Sequence, residues 1–376
     1  MPELPPTRPA PPEMVAVWDI GVRLFHWLLV ATVAISLATG FFWPWTWLRL
    51  HLIAGGTIAA LLGFRIVWGL LGTEHARFAS FAYPPRAVLL HVRGLARPGE
   101  ARHLGHNPLG ALMVFGMLLV LPAILVAGLV VLGGVVKQGP LAAFLRFRVA
   151  WPWLGIHQAL AVLLLVMIGG HLLGVIGETW RSRENLVWAM VTGRKPAGNV
   201  PAGAVAPAAR PLLAGAIVAI LLASAGAAIA GLAALPARGV PPAQPDPAYA
   251  VQCGACHLAY PPSLAPAATW SGILRDLKHH FGGTDASLTP DLVAEIGAYL
   301  RANSAEHWDT LPARMLRITN PAEPLRITAT RFWRRMHRGI PDAVFASQQV
   351  GRRGACEACH RDAASGRFAP QAIEVP

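Results

Sequence analysis

Charge is what this sequence of 376 residues is shortest of. Asp, Glu, Lys and Arg make up 14% of it and hydrophobic residues 54%, whereas a soluble domain carries about 25% charged residues. That shortfall excludes an ordinary soluble fold for most of the chain. Acids are the scarcer sign, 19 against 32 Lys and Arg, for a net charge of +13. Residues 1–247 hold 18 basic and 8 acidic side chains, and residues 248–376 hold 14 and 11. The excess therefore sits in the apolar part, where basic loops set membrane topology, and no nucleic-acid partner is expected. Cysteine is nearly absent. The four present, at 253, 256, 356 and 359, leave none over for a disulfide framework. No carboxylate pair, nucleophile triad or phosphate-binding glycine loop appears, and no cleavable leader is evident in the polar, Pro-rich stretch 1–17.

Five apolar runs, at about 24–42, 50–71, 109–136, 154–176 and 212–235, approach the roughly 20 residues that cross a bilayer as helix. Pro122 predicts a kink or tilt in the third. Loops 72–108 and 178–210 carry Arg77, Arg86, Arg93, Arg97, Arg102, Arg181, Arg183, Arg194, Lys195 and Arg210. The opposite connections carry Arg49, Lys137, Arg146 and Arg148. Ten against four places the N-terminus in the cytoplasm and, after five spans, residues 248–376 on the far side. Trp43, Trp45, Trp47, Trp151 and Trp153 fall at outer helix ends, as an aromatic belt does. In the fifth span Ala219, Ala223, Ala227 and Gly231 form a stripe read as a helix-packing face on a tether. The Pro-rich stretch 236–247 reads as a semi-rigid linker. The expected divisions are 1–200, 201–247 and 248–376. In the last, helices are expected near 269–281, from Pro290 with Thr289 as cap, and near 331–338.

Both cysteine pairs read C-x-x-C-H: Cys253, Cys256, His257 and Cys356, Cys359, His360. In this motif two thiols add to haem vinyl groups and the adjoining imidazole binds the iron. A redox dithiol or half a zinc site is the rival for one such motif, but two with no other cysteine favour two covalent haem c. That attachment takes place outside the bacterial cytoplasm, on the side the loop charges assign to these residues. For the sixth ligands His280 and His337 are favoured over His279, His307, Met315 and Met336. Spacing alone leaves His279 and His280 open.

Ionisable groups inside a span are costly and functional by default. His157 and His171 lie 14 residues apart on the fourth span, within roughly 40° of one face and separated by about 21 Å along the axis. The direction in which each helix crosses then pairs His51 with His157 at the outer level and His26 with His171 at the inner. This is a bis-His arrangement for two haem b in a four-helix bundle. Arg65, 14 residues after His51, is either a haem-propionate partner or an arginine snorkelling to the cytoplasmic face. Gly55, Gly56, Gly169 and Gly170 either let a macrocycle approach or serve helix packing. His75, His91, His103 and His106 are expected to face solvent or headgroups, and His106 and Asn107 are weak candidates for a quinone contact.

The segment VWDIGVRLFHW (17–27), with FRIVWG (64–69), ARF (76–78), GHNPLG (105–110) and the His157/His171 pair, resembles the bacterial cytochrome b561 and nickel-hydrogenase b-type cytochrome family over about 15–195. The resemblance implies haem b ligation by His26, His51, His157 and His171, and quinone or quinol as membrane partner. The segment CGACHLAYPP (253–262), His280 and Phe281, Asp285 to Leu288, Arg317, Trp333 to His337 and Cys356 to Asp362 are similar to the small dihaem cytochrome c family over about 248–365. That likeness supports His280 and His337 as distal ligands. The fusion and the fifth helix depart from the pattern of a separate c-type chain.

The expected architecture is all-α: a transmembrane four-helix haem bundle, a tether helix and a small helical dihaem domain. The expected function is electron transfer between the quinone pool and a periplasmic redox protein, from a bacterial inner membrane, as a quinol-to-cytochrome oxidoreductase if it is an enzyme. A homodimer is compatible. The rivals are the membrane subunit of a hydrogenase-like complex and a haem gas sensor. An optical assay of the purified protein is expected to give two haem b and two haem c per chain, with only the c-type pigment surviving acid-acetone extraction.

Overall fold

The computed structural model describes residues 14–42, 47–94, 103–197, 209–242, 244–281 and 283–376. Trp43, Trp45, Arg97 and Arg102 lie outside them. Helices dominate: α1 (Ile20–Phe42), α2 (Leu48–Leu71), α3 (Pro85–Gly94), α4 (Pro108–Gly134), α5 (Phe147–Ser182), α6 (Leu186–Thr192) and α7 (Pro211–Ala233). Shorter helices follow: α8 (Pro247–Cys253), α9 (Ala267–Arg275), α10 (Pro290–Ala302), α11 (Leu311–Leu316), α12 (Arg331–His337) and α13 (Asp342–Phe345). Among the described residues α1, α2, α4, α5 and α7 are long and apolar enough to cross a membrane, and the single sheet pairs β1 (Met14–Ala16) with β2 (Arg194–Pro196), antiparallel.

The described residues pack as two compact units. The first comprises the described parts of 14–42, 50–126 and 156–227. Its core joins Val33 of α1, Ile58 and Leu62 of α2, Leu121 of α4 and Leu164 of α5. In lipid such a core is held by close van der Waals packing, since hydrocarbon outside is as apolar as leucine inside. Polar contacts fix the helix ends. Asp19 caps α1 by accepting the Val22 N–H at 2.8 Å. The same carboxylate accepts the Trp68 indole N–H at 3.0 Å and the Thr73 hydroxyl at 2.5 Å, so one acid ties the start of α1 to the end of α2. Gly193, at φ +80, accepts the N–H groups of Val17 and Trp18 on its carbonyl. A Cβ there would stand 2.5 Å from the Trp18 carbonyl oxygen, so only glycine closes this junction beside β2.

The second unit comprises the described parts of 47–49, 127–155 and 228–376. Tyr249, Ala265, Trp270, Ile296 and Leu300 form one core and Leu264, Leu316 and Trp333 another. A third joins Val135, Phe147 and Ala150, with Leu311 and Met315 of α11 packed against them.

Several sequence expectations are corrected. α5 runs 36 residues, well beyond 154–176, and its first N–H, that of Phe147, is capped by the carboxylate of Asp309 from far along the chain. α9 stops at Arg275, where Asp276 leaves helical geometry and its carboxylate takes the His279 N–H. Thr289 sits at the start of α10 without a capping bond.

Asp19→Ala removes one helix cap and two charge-assisted side-chain bonds. It is expected to cost about 3 kcal/mol, seen as a lowered Tm in detergent by circular dichroism. Asp19→Asn, which keeps the cap, is expected to lose about half of that.

Candidate functional site

Paired imidazoles are the recurring feature. In the first unit the rings of His51 and His157 lie 6.1 Å apart by centroid. The Nδ1–H of His51 donates to the Ser36 carbonyl and the Thr39 hydroxyl, each at 3.1 Å, and that of His157 to the Ile124 carbonyl at 3.0 Å. Tying Nδ1 to an acceptor fixes the tautomer and leaves Nε2 lone pairs available. Gly40 leaves room for this, since a Cβ there would reach within 3.3 Å of the His51 ring. His26 and His171 lie within electrostatic range of one another, and His26 Nδ1 is buried without a partner. Sequence reasoning found the four histidines but missed Ser36, Thr39 and Gly40; the only signal was a polar pair inside an apolar run.

The second unit repeats the motif twice. His257 and His280 stand 6.2 Å apart with planes 13° from parallel, and His337 and His360 stand 6.1 Å apart. His257 Nδ1–H donates to the Leu258 carbonyl at 2.7 Å and His337 Nδ1–H to the Trp333 carbonyl at 2.8 Å. Burial pushes the pKa values of His280, His337 and His360 below the ordinary imidazole value, which keeps these rings neutral. The neighbour His279 turns away to bond Asp276 at 2.8 Å at the surface, and His307 is exposed. A cavity of about 260 Å³ is lined by His337, His360, Cys356, Cys359, Phe345 and Phe368. Tyr260 links the two pairs: its ring lies 5.0 Å from that of His257, and its hydroxyl donates to the Gly354 carbonyl, beside Cys356, at 2.6 Å.

Arg65 is 3% exposed. It donates to the Ala76 carbonyl at 3.1 Å and lies 4.5 Å above the Phe78 ring, so its guanidinium is held inside rather than extended to the surface. Asn107 is committed to capping α4 through the Gly110 N–H, 2.7 Å. The loop histidines do not all face solvent as expected. His91 is 5% exposed, with its ring edge-on to His103. His106 is wedged between Trp18 and Phe81, because the ends of α1 and α4 close over it.

Residues 17–193 match the family Prokaryotic cytochrome b561, and residues 249–368 match the family Dihaem cytochrome c. Residues 249–368 belong to the dihaem cytochrome c family, and residues 17–193 are similar to the prokaryotic cytochrome b561 family. Its cytochrome b561 part is 24% identical to a probable Ni/Fe-hydrogenase 1 B-type cytochrome subunit of Escherichia coli, over 47% of this chain and 88% of that protein. Its dihaem part is 33% identical to a solved diheme cytochrome c of Shewanella baltica, covering 35% of this chain and 92% of that one at a TM-score of 0.28. It is 35% identical to one of Rhodobacter sphaeroides, covering 32% and 94% at a TM-score of 0.28. This b561–dihaem fusion is an integral membrane protein that transfers electrons across the membrane by b-type and c-type haem.

The residues present fit such groups. Two metal–imidazole bonds of about 2 Å, with roughly 1 Å more from each nitrogen to its ring centre, separate two axial rings by about 6 Å. The three measured pairs stand at that spacing. All four cysteines are free thiols. No three His, Cys, Asp or Glu side chains converge among the described residues, which suits a metal arriving with its own equatorial ligands. A Cβ at Gly56 or Gly169 would meet nothing within 4 Å, and one at Gly55 or Gly170 only a side-chain tip at 3.9 or 3.4 Å. These glycines therefore border open space rather than a tight helix contact.

Burial, then nearby positive charges led by Arg65, push the His106 imidazole down to about 3. The unfolded chain binds this proton below about 6.5 and the folded one does not until about 3. Stability tied to His106 is therefore complete above 6.5 and falls as pH drops towards 3. Between pH 7 and 5 the loss approaches about 2 kcal/mol. His106→Gln is expected to show a smaller drop in Tm over that interval than the unaltered protein.

Proposed function

We propose that the fusion carries electrons between the quinone pool of a bacterial inner membrane and a periplasmic redox protein, using two haem b and two haem c. The observation that carries this reading is the opposition of imidazole rings at about 6 Å, three times over. Haem bound at each pair supplies a one-electron couple tuned by its ligands and its burial.

His26 with His171 and His51 with His157 would hold haem b. His257 with His280 and His337 with His360 would hold the c-type haems, with Cys253, Cys256, Cys356 and Cys359 as covalent links. Two imidazoles at each site would leave the iron no open position, which would favour electron transfer over oxygen or gas chemistry. Carbonyls of Ser36, Ile124, Leu258 and Trp333 hold ring orientation, so little reorganises when charge arrives. Arg65, buried among phenylalanines, would supply a cation for a haem propionate near the His26–His171 level. His106, neutral and with Nδ1 buried and unpartnered, is the better of the two loop candidates for a quinone contact, because Asn107 is occupied as a cap.

The loop charges support a cytoplasmic N-terminus and a periplasmic dihaem segment, and the lengths matched by the two families support divisions close to 1–200, 201–247 and 248–376. A second copy of the chain is compatible with this scheme. The name of the Escherichia coli relative favours a second reading, a membrane subunit delivering hydrogenase electrons to quinone. The fused dihaem segment weighs against it by providing a port of its own.

The test has two parts. Single Ala substitutions of His26 and His171 are expected to remove one haem b, and those of His51 and His157 the other, with both haem c retained. A quinol analogue should reduce the b-type and then the c-type absorbance of the unaltered protein, and carbon monoxide should leave the reduced spectrum unchanged. A large carbon monoxide shift would instead establish an open iron site and a sensor, and co-purification with a metalloenzyme would establish the hydrogenase reading.

A further inference from the structure

Lys137 follows α4 in the left-handed region, at φ +59, where glycine is the residue without strain. A lysine here, 3% exposed, calls for a reason in its side chain. The ammonium donates to the Leu145 carbonyl and to Asp309 Oδ2, both at 3.0 Å. The same Oδ2 accepts the N–H of Phe147, the first residue of α5, at 2.7 Å. Asp309 Oδ1 accepts Nε and Nη2 of Arg314 at 3.1 and 2.7 Å. Burial alone would raise the Asp309 carboxyl. The Phe147 N–H, Lys137 and Arg314 outweigh that and hold it below its ordinary value.

Further contacts surround the pair. Arg367 donates to the Lys137 carbonyl at 3.3 Å, and Leu311 and Met315 pack on Val135, Phe147 and Ala150. Lys137 and Phe147 lie in the b561 sequence, and Asp309, Leu311 and Arg367 in the dihaem sequence. The cavity that holds His337 and His360 is bordered here by Val135, Val136 and Lys137. The other pair is open to its surroundings, for Cys256 is exposed and Phe281, edge-on to His280, is 45% exposed.

The geometry points to Lys137 and Asp309 as the docking contact that seats the dihaem sequence on the α4–α5 connection, making His337–His360 the c-type site that receives electrons from the b561 part. This rests on the transfer function proposed above. Asp309 and Lys137 are positioning residues and touch no haem ligand.

The test uses the full chain in lipid nanodiscs, with decylubiquinol as reductant. Lys137→Gly relieves the backbone strain while removing the ammonium, so the loop is expected to fold. Asp309→Asn is the second variant. Both should retain the full haem count and unaltered b-type reduction, with c-type reduction at least fivefold slower. Amide hydrogen exchange should rise on both sides of the contact, at 145–150 and at 309–316. Phe281→Asp, beside the other pair, should leave c-type reduction unchanged. Unchanged c-type reduction in Lys137→Gly and Asp309→Asn, or exchange rising at 145–150 alone, would overturn the docking role. Slowed c-type reduction in Phe281→Asp would overturn the assignment of the receiving site. Absence of c-type reduction in the unaltered chain is a different result, which would sink the transfer reading itself.

Discussion

Everything in this protein turns on imidazole rings that face one another across a gap of about 6 Å, too wide for a hydrogen bond between them and right for one metal ion. Each gap has to be kept in a setting that resists both collapse and protonation. Burial favours the neutral form of His280, His337 and His360, and a backbone carbonyl on Nδ1 leaves the other ring nitrogen free. Ser36, Ile124, Leu258 and Trp333 do this for four different rings. The same device, a backbone carbonyl on Nδ1, recurs in two parts of the chain that match different families.

The two parts meet that constraint with different materials. In the membrane the helices hold the rings at fixed heights through 1.5 Å per residue of rise, and the apolar core around Val33, Leu62 and Leu121 needs only to fill space. Outside it, the dihaem sequence has short helices and many turns. There the placement of His257, His280, His337 and His360 depends on cysteine-bearing turns, on caps such as Thr330 on the Trp333 N–H, and on Tyr260 reaching from one turn to the other.

Covalent fusion does not by itself orient two redox modules, and a Pro-rich linker would leave their spacing broad. The buried carboxylate of Asp309 ties the α4–α5 connection to α11. It terminates a helix, neutralises a lysine and fixes an arginine in one place, and such a charge is tolerated away from water only because every lone pair finds a donor.

Sequence alone determined the apolar spans, the opposition of His51 to His157 and the two C-x-x-C-H motifs, because helix rise, turn angle and motif spacing are local rules that need no knowledge of neighbours. It left His279 and His280 unresolved, since adjacent residues at a helix end differ only in which way the chain turns; Asp276 decides that by capturing His279 and freeing His280 to face His257. It misjudged the length of α5 and the solvation of His91 and His106. Each of these depends on what packs against a segment from elsewhere in the chain. Only the tertiary structure could show that Phe147 is capped by a residue 162 positions away, because hydrogen-bond partners distant in sequence leave no periodic trace in it.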